Sequence, residues 1–291
     1  MRTVYRSQML APGGGWPEDS RVTEVDSPTP GDGLPVADPW FSVTWVTGRT
    51  AMLTEPHVDG LLQANLWYLR GRDRDLLVDT GNGAASLAPV LARFAGGGRR
   101  DVVCLVTHAH ADHIGGFHEF DRRLLHPAEE RAAAHIGDEV PLATATWSSE
   151  LKDQLAESGF VLPPLLVDAV PCRGFDLETF RIVPAAPTHF VQGGDEIDLG
   201  GRTLSVVDLP GHTRGSIGLV DHEENALLSG DAIYDGELID TLPESDVKQY
   251  LVTMERLRTV DVDVVYPGHG APFGRALLHQ LVGAYLRERG R

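Results

Sequence analysis

Residues 107–116 read Thr-His-Ala-His-Ala-Asp-His-Ile-Gly-Gly, so three histidines and one aspartate, His108, His110, Asp112 and His113, lie within a few positions of one another. Neutral imidazole and carboxylate are the groups with which proteins bind zinc and related divalent metals. Burying them without a metal would leave several polar groups in need of partners. The cluster therefore predicts a metal site, and its size predicts two metal positions rather than one.

The residues before this cluster predict how it is positioned. Residues 101–106 are mostly apolar and rich in β-branched side chains, which is typical of a buried strand. Alternate residues of an extended chain share a face, so His108 and His110 can point the same way. Asp112 and His113 follow where the strand becomes a loop, and they can be directed at a neighbouring point.

Three later segments also place a possible ligand directly after an apolar strand. His212 and His269 each follow a Pro-Gly turn, and Asp231 follows a glycine. Glycine and proline allow the backbone to bend sharply, so that the next side chain can turn toward a shared centre. Each segment is a weak signal alone, but together with the histidine-rich strand they indicate one composite site.

With these residues in this order, the chain resembles the metallo-β-lactamase superfamily of hydrolases over residues 41–291. The matching residues are Asp79 in Leu-Val-Asp-Thr-Gly, His108, His110, Asp112, His113, His212, Asp231 and His269. The resemblance implies an α/β fold of the αββα four-layer sandwich type with a dinuclear metal site.

The resemblance also implies a role for each of these residues. The ligands would be His108, His110 and His212 for the first metal, Asp112, His113 and His269 for the second, and Asp231 as the bridge between them. Asp79 is expected to orient His108 or a neighbouring ligand without binding metal itself. The expected cofactors are two divalent ions, with zinc favoured and iron or manganese left open, because these ligands suit all three.

Two residues bear on the substrate. The zinc β-lactamases of the commonest class have a cysteine at the position of Asp231, whereas aspartate there resembles glyoxalase-II-like thioesterases, lactonases and phosphodiesterases. Tyr234 follows three residues later, and the resemblance to acyl-homoserine-lactone lactonases includes a tyrosine at that offset. Its phenol would donate a hydrogen bond to the substrate carbonyl or oxyanion. The alternative for Tyr234 is a packing role only.

The functional hypothesis is metal-assisted hydrolysis of a small ester, lactone or thioester by a hydroxide that bridges the two ions. Asp112 would bind metal and also orient the attacking hydroxide, and Tyr234 would supply the oxyanion contact. A phosphodiesterase, an iron-dependent oxidoreductase similar to persulfide dioxygenases, and a non-catalytic binding protein are the alternatives.

Composition limits the partners. The chain has 291 residues, a net charge of −17 and 42% hydrophobic residues. A nucleic-acid groove needs a surplus of Lys and Arg, so such partners are not expected. No apolar run is long enough for a membrane span, and the first ten residues lack the apolar core of a signal peptide. A small-molecule substrate and a cytoplasmic location are expected, and the two cysteines do not form a disulfide framework.

Two segments interrupt the regular pattern. Residues 1–40 are rich in proline and glycine and predict an irregular N-terminal arm, a candidate element for a homodimer. Residues 137–176 predict an insertion within the hydrolase domain 41–291, which either covers the substrate or is an inert surface excursion.

Alternating strand and helix patterns complete the predicted sandwich. Strands are predicted at 41–46, 66–69, 75–78, 101–106, 124–125, 180–183, 202–208, 216–220, 226–229 and 262–266. Helices are predicted at 84–95, near 117, and at 127–135, 149–157, 245–259 and 272–287.

Overall fold

Two β-sheets form the centre of the chain in the computed structural model, which describes residues 33–95, 100–138, 142–157 and 159–290. The strands of the first sheet are, in chain order, β1 (Ser42–Trp45), β2 (Thr50–Thr54), β3 (Leu66–Arg70), β4 (Asp75–Val78), β5 (Val102–Leu105), β6 (Arg123–Leu125) and β7 (His189–Phe190). Those of the second are β8 (Glu196–Asp198), β9 (Thr203–Asp208), β10 (Ile217–Asp221), β11 (Ala226–Gly230), β12 (Val264–Pro267) and β13 (Phe273–Gly274).

Chain order is also spatial order in both sheets. Strands β1 to β4 pair antiparallel, and β4 to β7 pair parallel. In the second sheet only β11 and β12 run parallel. Parallel neighbours need crossover connections, and helices supply them. The carboxyl ends of β4, β5, β11 and β12 carry the candidate site described below.

The helices lie between and after these strands. They are α1 (Ala88–Phe94), α2 (Ala111–Ile114), α3 (Glu130–His135), α4 (Ser149–Glu157), α5 (Val247–Leu257) and α6 (Arg275–Arg289). Pro89 lies in the first turn of α1, where its missing N–H costs no hydrogen bond. Asp246 caps α5 by accepting hydrogen bonds from the amides of Lys248 and Gln249.

The fold has four layers, which are the two sheets and the helices that pack on the outer face of each sheet. An apolar core lies between each pair of neighbouring layers. On β4, Leu77 faces the core shared with the first helices, whereas Leu76 faces the core between the sheets. On the second sheet, Leu228 faces the core between the sheets, and Leu227 faces α5 and α6. This alternation follows from the two-residue period of a strand. It confirms the predicted αββα sandwich.

Most predicted elements are confirmed, but the strand expected at 180–183 is wrong. That segment has no regular structure, and the nearest strand is β7. Pro184 and Pro187 follow the apolar run, and proline cannot donate to a ladder. The helix expected from 272 begins instead at Arg275, because Phe273–Gly274 pair with β12.

The segments outside the regular pattern are only partly described. The expected arm lies mostly outside the described residues, so the dimer role stays a prediction. Val36 forms a bridge with Val170, and Val58 forms one with Val167, so the insertion contacts the chain on both sides of β1 and β2. Within the described residues, no helix combines the length and apolar character needed to cross a bilayer.

Candidate metal centre

Strand ends place the candidate ligands at one edge of the sandwich. Asp79 follows β4, and His108 lies three residues after β5. In the second sheet His212, Asp231 and His269 follow β9, β11 and β12. The short helix α2 carries two more predicted ligands, Asp112 and His113, and His110 directly precedes it. All seven predicted ligands are thus brought together, although they lie on both sheets.

Three histidines form what we term the first group: His108, His110 and His212. Nδ1 of His110 lies 3.1 Å from Nε2 of His108 and 3.0 Å from Nε2 of His212. Three imidazole nitrogens therefore face one point. His108 and His212 are buried, and the side chain of His110 is 23% exposed.

Asp112, His113 and His269 form the second group. Oδ2 of Asp112 lies 3.5 Å from Nε2 of His113 and 3.3 Å from Nε2 of His269. Asp112 and His113 are buried, whereas the His269 side chain is 15% exposed.

Asp231 joins the two groups. Its Oδ2 lies 3.6 Å from Nε2 of His212 and 3.9 Å from Nε2 of His108 in the first group. In the second group, Nε2 of His269 is 3.3 Å from Oδ2, and Nε2 of His113 is 3.3 Å from Oδ1. One carboxylate therefore faces both groups.

Each of the five histidines also has a partner for its outward nitrogen. The partners are Thr107 Oγ1 for His108 (3.1 Å), Glu244 Oε1 for His110 (2.9 Å), Asp79 Oδ2 for His113 (2.9 Å), the Ile239 carbonyl for His212 (2.8 Å) and the Gln63 carbonyl for His269 (3.1 Å). An acceptor on the outer nitrogen holds the proton there and leaves the inner nitrogen as a lone-pair donor.

Asp79 connects two of these histidines. Besides His113, its carboxylate accepts hydrogen bonds from the amide and the hydroxyl of Thr107, whose hydroxyl contacts His108. The backbone of Asp79 has φ 64°, a left-handed conformation that aspartate tolerates better than most residues.

Gly268 allows the two strand ends of the second sheet to approach. A Cβ at this position would lie 2.1 Å from Oδ1 of Asp231. Any other residue would therefore collide with the carboxylate that joins the two groups. The Pro-Gly turn before His269 is thus required by close approach.

The pKa values of the histidines depend on how burial and neighbouring charges balance at each ring. Burial lowers the pKa of His212 to about 4, and the neighbouring His110 acts in the same direction. Burial also opposes protonation of His269, but Asp231 and Asp112 outweigh it and raise the pKa of His269 to about 10. Likewise, Asp231 and the other nearby carboxylates outweigh burial and hold the pKa of His113 well above its usual range. Burial opposes protonation of His110 in the first group as well, but its contact with Glu244 outweighs burial and raises the pKa of His110.

Two buried atoms test whether this donor set fits a metal. Nε2 of His113 and Oδ1 of Asp231 are buried and lie 3.3 Å apart, and neither forms a hydrogen bond with any described residue. Buried polar atoms without partners are costly unless something else binds them. Both atoms are typical donors for divalent ions, so the residues present fit a bound metal.

Tyr234 lies beside the second group. Its ring centroid is 5.5 Å from that of His269 in an edge-on arrangement. Its hydroxyl donates a hydrogen bond of 2.6 Å to the carbonyl of Glu237. Burial raises the pKa of Tyr234 well above its usual range, so the phenol remains protonated and is a hydrogen-bond donor.

Sequence reasoning missed two carboxylates that support the first group. Glu244 contacts His110, and the buried Glu129 accepts hydrogen bonds from the amides of Ala109 (3.0 Å) and Gly215 (2.8 Å). Neither lies next to a recognisable ligand in the chain. The only available signal is an acidic residue close to a predicted helix start, which is usually a cap.

Comparisons with known proteins show the family to which the chain is similar. The sequence profile of the metallo-beta-lactamase superfamily matches residues 59–269. The acyl-coenzyme A thioesterase MBLAC2 of Homo sapiens is 38% identical over 243 residues, covering 78% of this chain and 80% of that protein. The hydroxyacylglutathione hydrolase GloC of Haemophilus influenzae is 27% identical over 173 residues, covering 58% and 68%.

Solved structures agree as well. The metallo-beta-lactamase family protein TTHA1429 from Thermus thermophilus matches with a TM-score of 0.59 at 25% identity, covering 84% of this chain and 81% of that chain. The chain therefore belongs to the metallo-β-lactamase superfamily, and it is a hydrolase of that superfamily.

Proposed function

We propose that this chain hydrolyses thioesters, with acyl-coenzyme A as the substrate class, at a centre for two divalent metal ions. The convergence of both groups on Asp231 carries the proposal of two ions, because one carboxylate faces inner nitrogens of the first group and of the second. The substrate class is supported by the thioesterase relative at 38% identity.

The proposed ligands follow the two groups. His108, His110 and His212 would hold the first ion, Asp112, His113 and His269 the second, and Asp231 would bridge them. The ions, zinc in the first instance, would lower the pKa of a water molecule and polarise the thioester carbonyl. The buried ligands exclude bulk water from one side of the site, and the partly exposed His110 and His269 mark the side from which substrate enters.

Asp112 and Tyr234 are the proposed catalytic residues. The remaining oxygen of Asp112 would accept a proton from the attacking water as its oxygen bonds to the acyl carbon. The C–S bond would then break, and the sulfur would take that proton from Asp112 and leave as a thiol, with the acyl group released as the carboxylic acid. Tyr234 would donate to the carbonyl oxygen, for which its hydroxyl must leave the carbonyl of Glu237.

Residues 137–176 are proposed to cover the substrate, as part of a hydrolase domain of residues 41–291. The amide of Asp59 donates to the carbonyl of Leu166 at 2.8 Å, so the insertion lies along the segment that leads to Gln63. The carbonyl of Gln63 contacts His269. Leu166 of the insertion is therefore hydrogen-bonded to a residue four positions before one that contacts the second group, which supports the proposal.

The test is thiol release from acyl-coenzyme A of graded chain length by protein loaded with zinc, with lactones and phosphodiesters as comparison substrates. The Asp231→Asn variant, which keeps the shape of the side chain, serves as the matched control. Thiol release by the wild type and its loss in the variant support the proposal. A folded protein with two zinc ions that cleaves only phosphodiesters, or one with iron that consumes oxygen, would overturn it.

A further inference from the structure

Three residues of one segment of the chain contact the first group. The segment 239–245 runs from the turn after Asp231 to the start of α5. The carbonyl of Ile239 accepts from His212, Glu244 contacts Nε2 of His110, and the hydroxyl of Ser245 donates to the carbonyl of His212 at 2.8 Å. The outer nitrogens of the second group are held by Asp79 and Gln63 instead.

The segment is fixed at both ends. Asp240 is buried and accepts hydrogen bonds from Tyr285 (2.8 Å) and Arg289 (3.0 Å) of α6. At the other end, the amide of Asp246 donates to the carbonyl of Gly211 at 2.8 Å. Because both ends are held, Glu244 presents its carboxylate from a defined position even though its side chain is 43% exposed.

His110 has a different requirement from the other histidines. Its inner nitrogen is Nδ1, whereas the other four histidines face inward through Nε2. A lone pair at Nδ1 requires the proton on Nε2. The acceptor on Nε2 is Glu244 at 2.9 Å, and a carboxylate there stabilises that tautomer and fixes the ring plane.

We infer that Glu244 is a positioning residue that sets the tautomer and orientation of His110, and that it thereby controls binding of the first metal ion independently of the second. The inference rests on the proposed function, because it needs a centre with two ions. Glu244 acts through His110 and makes no contact with any residue of the second group among the described contacts. The two sites can then be emptied one at a time.

The experiment measures zinc bound per chain at graded free zinc, set by a chelator, for wild type, Glu244→Ala, Glu244→Gln and Glu255→Gln. Glu255 is an exposed carboxylate on α5 that pairs with Arg258, so its variant controls for the lost charge. Glu244→Ala is expected to weaken the binding of one zinc ion about 10- to 100-fold and to leave the binding of the other unchanged. Glu244→Gln keeps an acceptor oxygen and should recover part of this loss.

The outcomes are distinguishable. Wild-type affinity for both ions in Glu244→Ala, or equal weakening of both in a protein with native circular dichroism, overturns the inference. If Glu244→Ala does not fold, a smaller loss confined to one zinc ion must appear in Glu244→Gln, and its absence there overturns the inference. A wild-type protein that binds fewer than two ions contradicts the proposed function instead. Imidazole ¹⁵N chemical shifts of zinc-loaded protein report the tautomer of His110. The inference requires the proton of this imidazole to be on Nε2.

Discussion

Nδ1 of His113 lies 2.9 Å from a carboxylate oxygen of Asp79, and both residues are buried. Asparagine also tolerates the left-handed backbone at position 79, so Asp79→Asn keeps the backbone conformation while it removes the charge and one of the two acceptor oxygens. We expect this variant to bind the second ion about 10- to 100-fold more weakly, because the carboxylate no longer orients His113. Zinc titration against a chelator checks this, and undiminished affinity for both ions would contradict it.

Glu129 links the loops of His110 and His212 through the amides of Ala109 and Gly215. Glutamine can accept at only one of its two terminal atoms, so Glu129→Gln leaves one buried amide facing an NH₂ group. We expect the free energy of unfolding to fall by about 1–3 kcal/mol, measured by urea denaturation without metal. Glu130→Gln is the control, since Glu130 is exposed and adjacent. Equal stability of the two variants would show that Glu129 does not hold the loops.

Gly268→Ala tests the close approach of the strand ends. Because its Cβ would lie 2.1 Å from Oδ1 of Asp231, the carboxylate must move away from both groups. We expect at least one zinc ion to be lost per chain, measured by elemental analysis. Gly48→Ala is the control, since no atom lies near a Cβ at that position. A Gly268→Ala protein that retains both ions would show that metal binding does not require the Asp231 carboxylate at this position.

Metal binding is expected to depend on pH through His269. In metal-free protein the pKa of His269 is about 10, so at pH 8 its imidazole carries a proton that a metal ion must displace. Apparent zinc affinity should therefore rise as pH increases toward 10. Calorimetric titration at pH 8 in buffers of different ionisation enthalpy measures the released protons, and a heat independent of the buffer would contradict the prediction.

The raised pKa of His269 also affects the stability of the metal-free protein. The folded pKa of His269 lies above the unfolded value of about 6.5. Its contribution to the stability of metal-free protein is therefore fully present below pH 6.5 and is lost as pH rises through about 10. Comparing wild type with His269→Ala, the difference in melting temperature without metal should shrink over this range. A difference that grows with pH would be inconsistent with the charged imidazole.

Much of the fold could be predicted from sequence because it depends on local patterns. Apolar runs such as 75–78 and 226–229 are confirmed as β4 and β11, and each is fully buried. Strand β2 was missed because Thr50–Thr54 lies beside a turn in a segment with weak alternation. The wrong strand at 180–183 shows the opposite error, since its apolar run favours a strand while the prolines that follow prevent one.

The candidate site was predictable where a residue follows a strand end, as His212, Asp231 and His269 do. Its supporting groups were not. Glu244 approaches His110 from 134 positions away in the chain. Its role depends on how one loop is anchored to α6, and no spacing in the sequence encodes that contact.

The most direct test of the central claim is the zinc content of purified wild type and Asp231→Ala, measured together with thiol release from acyl-coenzyme A. Because Asp231 faces both groups, the account predicts two zinc ions per wild-type chain with thiol release, and loss of metal and activity together in Asp231→Ala. A folded Asp231→Ala protein that keeps two ions and full thioesterase activity would contradict it.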